Sequence, residues 1–222
     1  MENHSKVQKE NDVVYKNFDE VVVRQYNDNI IEYGIISGAS ERVLLIKTGQ
    51  GGSIYGYNNK YLTLAWTIHE KYEVSVMVSS NPYDRTDSLG KAIELLKERM
   101  TDSFEIYYMG VSNGAILGAR YGYCYPEIKK MLLVNGPLMI NWLQTKKGIE
   151  RFRNERVTFV YGSEDPSYDY REIISLIQSE SEVILVIVEG ADHNFKGMEN
   201  CYGRLVENYL LNENEWSGYR DR

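Results

Sequence analysis

Short runs rich in β-branched residues alternate with longer stretches of helical period along most of this chain. Six such runs follow residue 38, and each is five or six residues long. Parallel neighbouring strands need a crossover between them, usually a helix. The alternation therefore predicts an α/β fold with a mostly parallel sheet. The six runs span 43–47, 74–78, 104–109, 130–134, 157–161 and 183–188.

Two further candidate strands, 21–26 and 30–37, begin the pattern. Three polar residues, 27–29, separate them and tolerate tight-turn geometry, so we interpret the pair as a hairpin. Apolar residues recur three and four positions apart between the later strands, which indicates helices. The expected architecture is a doubly wound, three-layer α/β/α sandwich. The predicted helices span about 58–71, 87–100, 114–124, 139–153, 169–180 and 197–211.

Length and composition predict one ordinary globular domain. The chain has 222 residues. We expect a single domain over 19–211, between a polar N-terminal leader, 1–18, and a polar C-terminal tail, 212–222. Cys124 and Cys201 are expected to be unpaired thiols. Two cysteines without CxxC or Cys/His spacing provide neither a disulfide scaffold nor a zinc site.

The charge pattern bears on partners and location. The formal net charge is −7 and the basic residues are dispersed, so nothing indicates attraction to nucleic acid. No run approaches the roughly 18 apolar residues of a membrane span, and the first residues contain no apolar signal segment. We therefore expect a cytoplasmic protein with no membrane span. The sequence carries no indication of its oligomeric state.

A G-x-S-x-G motif, GVSNG at 110–114, lies between a predicted strand and a predicted helix. The pentapeptide alone would occur by chance in about one such sequence in ten. Strand, sharp turn and helix in this order are what a nucleophile elbow needs, with Gly110 and Gly114 relieving crowding around Ser112. The alternative is that Ser112 only caps the following helix. We favour Ser112 as a nucleophile.

A serine hydroxyl needs a neighbouring base to remove its proton, and histidine is the usual one. The chain has three histidines. His4 lies in the polar leader and His69 near the end of a helix that precedes the elbow strand. His193 follows the last predicted strand, in the loop EGADHNF. Only His193 is expected at the carboxyl edge of the sheet.

The acid that orients this histidine should also follow a strand. Asp165 does, because the strand at 157–161 leads directly into the loop GSEDP. The order serine, aspartate, histidine is that of the α/β hydrolases and differs from the orders in the chymotrypsin and subtilisin classes. Glu164, Asp169 and Asp192 are alternative acids. Any of these carboxylates, Asp165 included, could instead cap a helix or turn.

An oxyanion hole would complete the site, and backbone amides can supply it. One donor is expected from Asn113, and the other from the glycine-rich loop at 48–53, with Gln50 as the favoured residue. Such a loop could instead bind a nucleotide phosphate. A G-x-G-x-x-G motif would need glycine at 54, where isoleucine stands, and no P-loop sequence occurs. The oxyanion interpretation is preferred.

Over about residues 20–211 the chain resembles the α/β-hydrolase superfamily, particularly its small esterase and lipase-like members. The segments that carry the resemblance are TGQGGS, GVSNG, GSEDP and GADHNF. The resemblance implies a central, mostly parallel eight-stranded sheet flanked by helices. It also implies hydrolysis of an ester, thioester or amide of a small acyl substrate through an acyl-enzyme. The catalytic residues would be Ser112, Asp165 and His193, and no metal or organic cofactor would be needed.

Two features depart from the family pattern. The family often has His-Gly where this chain has Thr48-Gly49, which puts the support of the oxyanion loop in doubt. The segment at 136–156 can hold one helix but no separate cap domain, so the cap should be minimal and the site open. An acyltransferase with the same triad and a non-catalytic binding protein are alternative functions. Possible pocket-lining residues, each of which could equally be core, are Ile54, Tyr55, Tyr83, Leu138, Met139, Trp142 and Phe195.

Overall fold

The computed structural model describes residues 16–82, 87–100 and 103–212. Within these ranges eight strands form one sheet, in the order β1-β2-β4-β3-β5-β6-β7-β8. This confirms the predicted eight-stranded sheet. The strands are β1 (Glu20–Tyr26), β2 (Asn29–Ile36), β3 (Arg42–Lys47), β4 (Ser75–Ser79), β5 (Glu105–Val111), β6 (Ile128–Val134), β7 (Arg156–Gly162) and β8 (Glu182–Val188).

The sheet is parallel except at one end. β1 and β2 form the predicted antiparallel hairpin, and its turn contains Asn27 with a φ of 55°. β2 is also antiparallel to β4, whereas every pair from β4 to β8 is parallel. The carboxyl ends of β3 to β8 therefore meet at one edge of the sheet, where ligands bind in open α/β sheets.

Helices cover both faces of the sheet and bury two apolar cores. α1 and α5 pack on one face, where Leu64 and Tyr202 join the core, and α2, α3 and α4 pack on the other with Leu89, Ala115 and Ile149. This arrangement confirms the three-layer α/β/α sandwich. The helices are α1 (Lys60–Tyr72), α2 (Ser88–Arg99), α3 (Asn113–Tyr121), α4 (Trp142–Arg151) and α5 (Cys201–Val206).

Two predicted helices differ from the observed elements. The segment expected to be helical at 169–180 forms 3-10 turns over Pro166–Leu176 instead. Apolar residues three positions apart, such as Ile174 and Ile177, fit the three-residue period of a 3-10 helix as well as an α-helix, so the pattern could not separate them. The helix expected at 197–211 is a short α5 followed by a π turn over Glu207–Leu211.

The connection between β6 and β7 contains α4 and forms no separate cap. α4 packs tightly on α3, since a Cβ added at Gly148 would lie 2.2 Å from the carbonyl oxygen of Ala119. In the described part of the chain, no helix has both the length and the apolar character needed to cross a membrane. The predicted polar leader, 1–18, and polar tail, 212–222, lie mostly outside the described residues.

Candidate active site

Ser112 occupies a sharp turn between β5 and α3. Its backbone has φ 54° and ψ −116°, a conformation that L residues rarely adopt. The helix folds back so closely that a Cβ added at Gly110 would lie 2.6 Å from the carbonyl carbon of Gly114. A Cβ added at Gly114 would lie 2.2 Å from the carbonyl oxygen of Lys47. The two glycines thus permit the strand, turn and helix geometry that the motif predicted.

The Ser112 hydroxyl is not used to cap α3. Its side chain accepts no hydrogen bond from the first turn of the helix, as an N-cap serine would. Ser112 is partly exposed and lines a cavity at the carboxyl edge of the sheet, together with His193. The hydroxyl is therefore accessible to a ligand in this cavity.

Asp165 and His193 form a hydrogen-bonded pair. Asp165 follows β7, and its Oδ2 accepts a hydrogen bond from Nδ1 of His193. Its other oxygen, Oδ1, accepts from the backbone N–H of Ser167 at 2.6 Å and caps the 3-10 turns. Asp165 thus does both things that its position allowed, capping a turn and orienting a histidine. Holding the proton on Nδ1 leaves Nε2 of His193 as an acceptor.

Burial and hydrogen bonding act on Asp165 in opposite directions. Burial raises the pKa of this carboxyl, but the hydrogen bonds from His193 and Ser167 outweigh it and leave the pKa below its ordinary value. Asp165 therefore carries a negative charge at neutral pH, as an acid that stabilises an imidazolium must.

None of the alternative acids forms a hydrogen bond with His193 in the described part of the chain. Glu164 and Asp169 are exposed. Oδ1 of Asp192 accepts hydrogen bonds from the backbone N–H groups of Asn194 and Lys196, both at 2.9 Å, and so stabilises the turn in the histidine loop.

Ser112 and His193 lie on the wall of one cavity of about 380 Å³. The His193 side chain is 43% exposed, whereas that of Asp165 is fully buried. No hydrogen bond joins the Ser112 hydroxyl to His193 among the described residues. Catalytic hydrogen bonds are often long without substrate and tighten in the complex. Asp165 and His193 are thus paired, and His193 shares one cavity with Ser112.

The loop after β3 lies against Ser112, as an oxyanion loop should. A Cβ added at Gly49 would lie 3.2 Å from Cβ and 3.7 Å from Oγ of Ser112. Gln50 also lines the cavity. Asn113 is the first residue of α3, where backbone N–H groups have no partner within the helix. One expected donor position thus follows Ser112 directly in the chain, and the other lies in the loop that packs against Ser112.

Asn81, which sequence reasoning missed, connects the two sides of this candidate oxyanion hole. It is 3% exposed and follows β4. Its Nδ2 donates to the carbonyl oxygen of Thr48 at 3.2 Å and to Oδ1 of Asn113 at 3.0 Å. Its carbonyl accepts from the N–H of Gly51 at 2.6 Å, and Ser88 donates to its Oδ1 at 3.0 Å. Asn81 thus supports the loop that begins at Thr48. This is the loop whose support the sequence left in doubt, because α/β hydrolases often have histidine at the position of Thr48.

Asn135, a second residue that was missed, supports the acid and base loops from the end of β6. It is fully buried and has a φ of 48°. Its Nδ2 donates to the carbonyl oxygens of Asp192 at 3.1 Å and His193 at 3.2 Å. Its Oδ1 accepts from the N–H of Gly162 at 2.9 Å. An asparagine just after a strand is the only sequence signal for either residue, and it is also typical of ordinary turns.

Replacing Asn135 with glycine is expected to lower the free energy of unfolding by about 2 to 4 kcal/mol, because one buried N–H group and two half-buried carbonyl groups lose their partner. Glycine adopts the positive φ without strain, so the change removes the amide without distorting the backbone. Urea unfolding followed by circular dichroism measures it. Asn27→Gly, at an exposed position with φ 55°, is the matched control and should change the value by less than about 0.5 kcal/mol. Equal effects of the two substitutions would contradict this role.

The predicted pocket-lining residues require a correction. None of the six that the structure describes lines the cavity that contains Ser112 and His193. Three of them, Ile54, Leu138 and Phe195, are fully buried because their side chains turn inward and complete the cores beneath the loops. The other three, Tyr55, Met139 and Trp142, lie outside this cavity, and Tyr83 lies outside the described residues.

The cavity is lined instead by the loop after β3, the start of α1, the elbow and the histidine loop. Its larger side chains are Tyr57, Lys60 and Tyr61. Sequence reasoning did not assign any of these three to the site.

As to metals, no group of three or more histidine, cysteine, aspartate or glutamate residues in the described ranges is arranged to hold an ion.

Comparison with known proteins places this fold. No protein-family model matches the chain, and no curated protein matches its sequence. Est1E from Butyrivibrio proteoclasticus superimposes with a TM-score of 0.69 at 13% identity, over 84% of this chain and 96% of its own. An alpha-beta serine hydrolase homologue from Coxiella burnetii gives 0.69 at 18% identity, over 87% and 99%. The Pyrococcus furiosus esterase Pf2001 gives 0.64 at 14% identity, over 86% and 92%.

These structures share the sheet, the flanking helices and nearly their whole length with this chain. Sequence identity is low throughout, so the likeness concerns the fold. The resemblance found in the sequence motifs agrees with it. The chain has the α/β-hydrolase fold.

Proposed function

We propose that this protein is a serine hydrolase that cleaves an ester of a small acyl group through an acyl-enzyme on Ser112. The observation that carries the proposal is the hydrogen-bonded Asp165–His193 pair on the wall of the cavity that also contains the Ser112 elbow. The description of similar structures as esterases and a serine hydrolase supports the same class of reaction.

Each residue has a defined step. Nε2 of His193 takes the proton from Ser112 as Oγ attacks the acyl carbon, and Asp165 stabilises the imidazolium. The amides of Gln50 and Asn113 donate hydrogen bonds to the oxyanion. The imidazolium then protonates the departing alcohol, leaving an acyl-serine. Water, deprotonated by His193, attacks the acyl-serine and releases the acid, and Ser112 regains its proton.

Water is the proposed acceptor because the site is open. α4 packs into a helical layer instead of covering the cavity, and His193 is 43% exposed. An acyltransferase would need a wall that excludes water in favour of an alcohol or amine.

A panel of ethyl esters with acyl chains of increasing length tests the proposal. We expect acid release by the wild type and none above background by Ser112→Ala. Release that is equal in the two proteins, or absent from both over the whole panel, would contradict a Ser112 hydrolase and favour a binding protein with this fold.

A histidine base also predicts a specific pH profile. Imidazole accepts a proton only when it is neutral, so kcat/KM should fall as the pH is lowered below neutrality and the base becomes protonated. Asp165 cannot cause this fall, because its lowered pKa keeps it ionised there. Initial rates on a neutral ester from about pH 4 to 9 provide the measurement, with circular dichroism at each pH as the control. A flat profile down to about pH 4 would exclude a histidine base.

A further inference from the structure

Lys60, the first residue of α1, places a buried positive charge at the candidate active site. Its side chain lines the cavity that contains Ser112 and His193. It also lines an adjoining groove of about 550 Å³ between α1 and α5. Lys60 as a whole is only 5% exposed. Lysine is almost never this buried unless its charge is paired.

The ammonium group has polar contacts but no ion pair with a described residue. Nζ donates to the carbonyl oxygen of Asn194 at 3.0 Å and to the hydroxyl of Tyr202 at 3.4 Å. It lies 5.1 Å and 5.0 Å from the ring centres of Tyr61 and Tyr202. No carboxylate of the described residues lies within 4.0 Å of it. These neutral contacts use two of three N–H donors and leave the charge without a carboxylate in direct contact.

Two carboxylates are near Lys60 but serve the histidine loop. Asp192 accepts from two backbone N–H groups of that loop, and Glu199 accepts from the N–H of Gly197 at 3.2 Å. Neither lines the cavity that contains Ser112. Burial lowers the pKa of Lys60 to about 8, although the charges of Asp192 and Glu199 oppose this shift. Lys60 therefore still carries most of its charge at neutral pH.

We propose that Lys60 binds a negatively charged group of the substrate, so that the preferred substrates are esters that carry a carboxylate or a similar anion. This inference rests on the proposed function and specifies its substrate class. The remaining N–H donor would form a charge-assisted hydrogen bond to the anion, and the ligand would supply the carboxylate contact that the ammonium lacks. A buried, unpaired cation beside a candidate nucleophile is the kind of group that ligand sites contain.

Matched esters test this inference. Monoethyl succinate, glutarate and adipate carry a carboxylate where ethyl butyrate, pentanoate and hexanoate carry a methyl group, and 4-acetoxybenzoate with phenyl acetate tests the alcohol side. The quantity compared is the ratio of kcat/KM for the charged ester to that for its neutral partner. Lys60→Met is expected to lower this ratio about tenfold or more in at least one pair, which corresponds to about 1.4 kcal/mol.

Two variants control for charge and folding. Lys60→Arg keeps the charge and should retain most of the preference for the anion. Lys71→Met removes an exposed lysine from the same helix, outside the cavity, and should leave the ratio within about twofold of the wild type. If Lys60→Met slows both members of every pair equally, Lys60 only supports the carbonyl of Asn194 and the inference is overturned.

The preference should also depend on pH. The ammonium is present below the pKa of about 8 and is lost above it, so the ratio should fall as the pH rises through this value in the wild type but not in Lys60→Arg. The other titratable groups around Lys60 do not produce this fall in the ratio. Burial raises the pKa values of Tyr61 and Tyr202, and hydrogen bonds lower that of Glu199. His193 acts on both esters of a pair, so a change in its charge cancels in the ratio. Asp192 accepts hydrogen bonds from backbone amides of the histidine loop.

A binding measurement keeps this inference separate from the proposed function. If no ester is hydrolysed in a Ser112-dependent manner, the proposed function fails, and calorimetry with N-ethylsuccinamate and N-ethylbutanamide still tests Lys60. Binding of the charged amide to the wild type, weakened about tenfold or more in Lys60→Met, would support the anion site. No binding, or equal binding of both amides, would overturn it.

Discussion

Alanine at position 112 is expected to lower kcat for ester hydrolysis by a factor of about 10⁴ to 10⁶. The effect should be this large because the hydroxyl is the atom that forms the acyl-enzyme, and no other group in the mechanism can replace it. Residual activity would come from the oxyanion amides and substrate binding alone. Initial rates with the best ester of the panel provide the measurement.

Ser53→Ala is the matched control for this result. Ser53 is a second serine on the wall of the same cavity, and its Oγ accepts from the N–H of Gly56 at 3.2 Å. We expect a change in kcat of less than about tenfold. Ser112→Gly guards against a folding defect, because glycine adopts the positive φ of the elbow without strain and the lost hydroxyl has no hydrogen bond to a described residue. It should be inactive and fold normally. Full activity in this variant would contradict the account.

Asparagine at position 165 is expected to lower kcat by a factor of about 10³ to 10⁴. Its Oδ1 can still accept from the N–H of Ser167, so the cap of the 3-10 turns should remain. The amide NH₂ would face Nδ1 of His193, and the imidazole would carry its proton on Nε2 instead. That tautomer cannot accept the proton of Ser112, so the loss should appear in kcat more than in KM.

Asp169→Asn provides the comparison, because Asp169 is an exposed acid in the same loop region. It should retain kcat within about twofold of the wild type, as surface changes usually do. A larger loss in Asp169→Asn than in Asp165→Asn would show that the histidine is oriented by a different acid from the one in the structure.

The architecture could be predicted because it depends on patterns that a single sequence contains. The alternation of runs predicted six of the eight strands, and the two runs on either side of the polar residues 27–29 predicted the hairpin. The pairing of Asp165 with His193 was also predictable. Both residues follow parallel strands, β7 and β8, whose carboxyl ends lie side by side.

The cavity lining and the supporting network could not be predicted from the same patterns. Ile54 and Phe195 lie in loops near the site, but their side chains turn into the core, and loop position does not fix side-chain direction. Asn81 and Asn135 act through contacts with loops far away in sequence. Lys60 begins a helix, where a lysine is usually solvated, and only its tertiary contacts reveal that it is buried.

Mapping a covalent adduct tests the central claim most directly. The wild type would be treated with a fluorophosphonate, which phosphonylates an activated serine, and then digested and analysed by peptide mass spectrometry. The account predicts one adduct, on Ser112, and its absence from Ser112→Ala, with strongly slowed labelling of Asp165→Asn. An adduct on another residue, such as Ser53, or no adduct on the folded wild-type protein would contradict it.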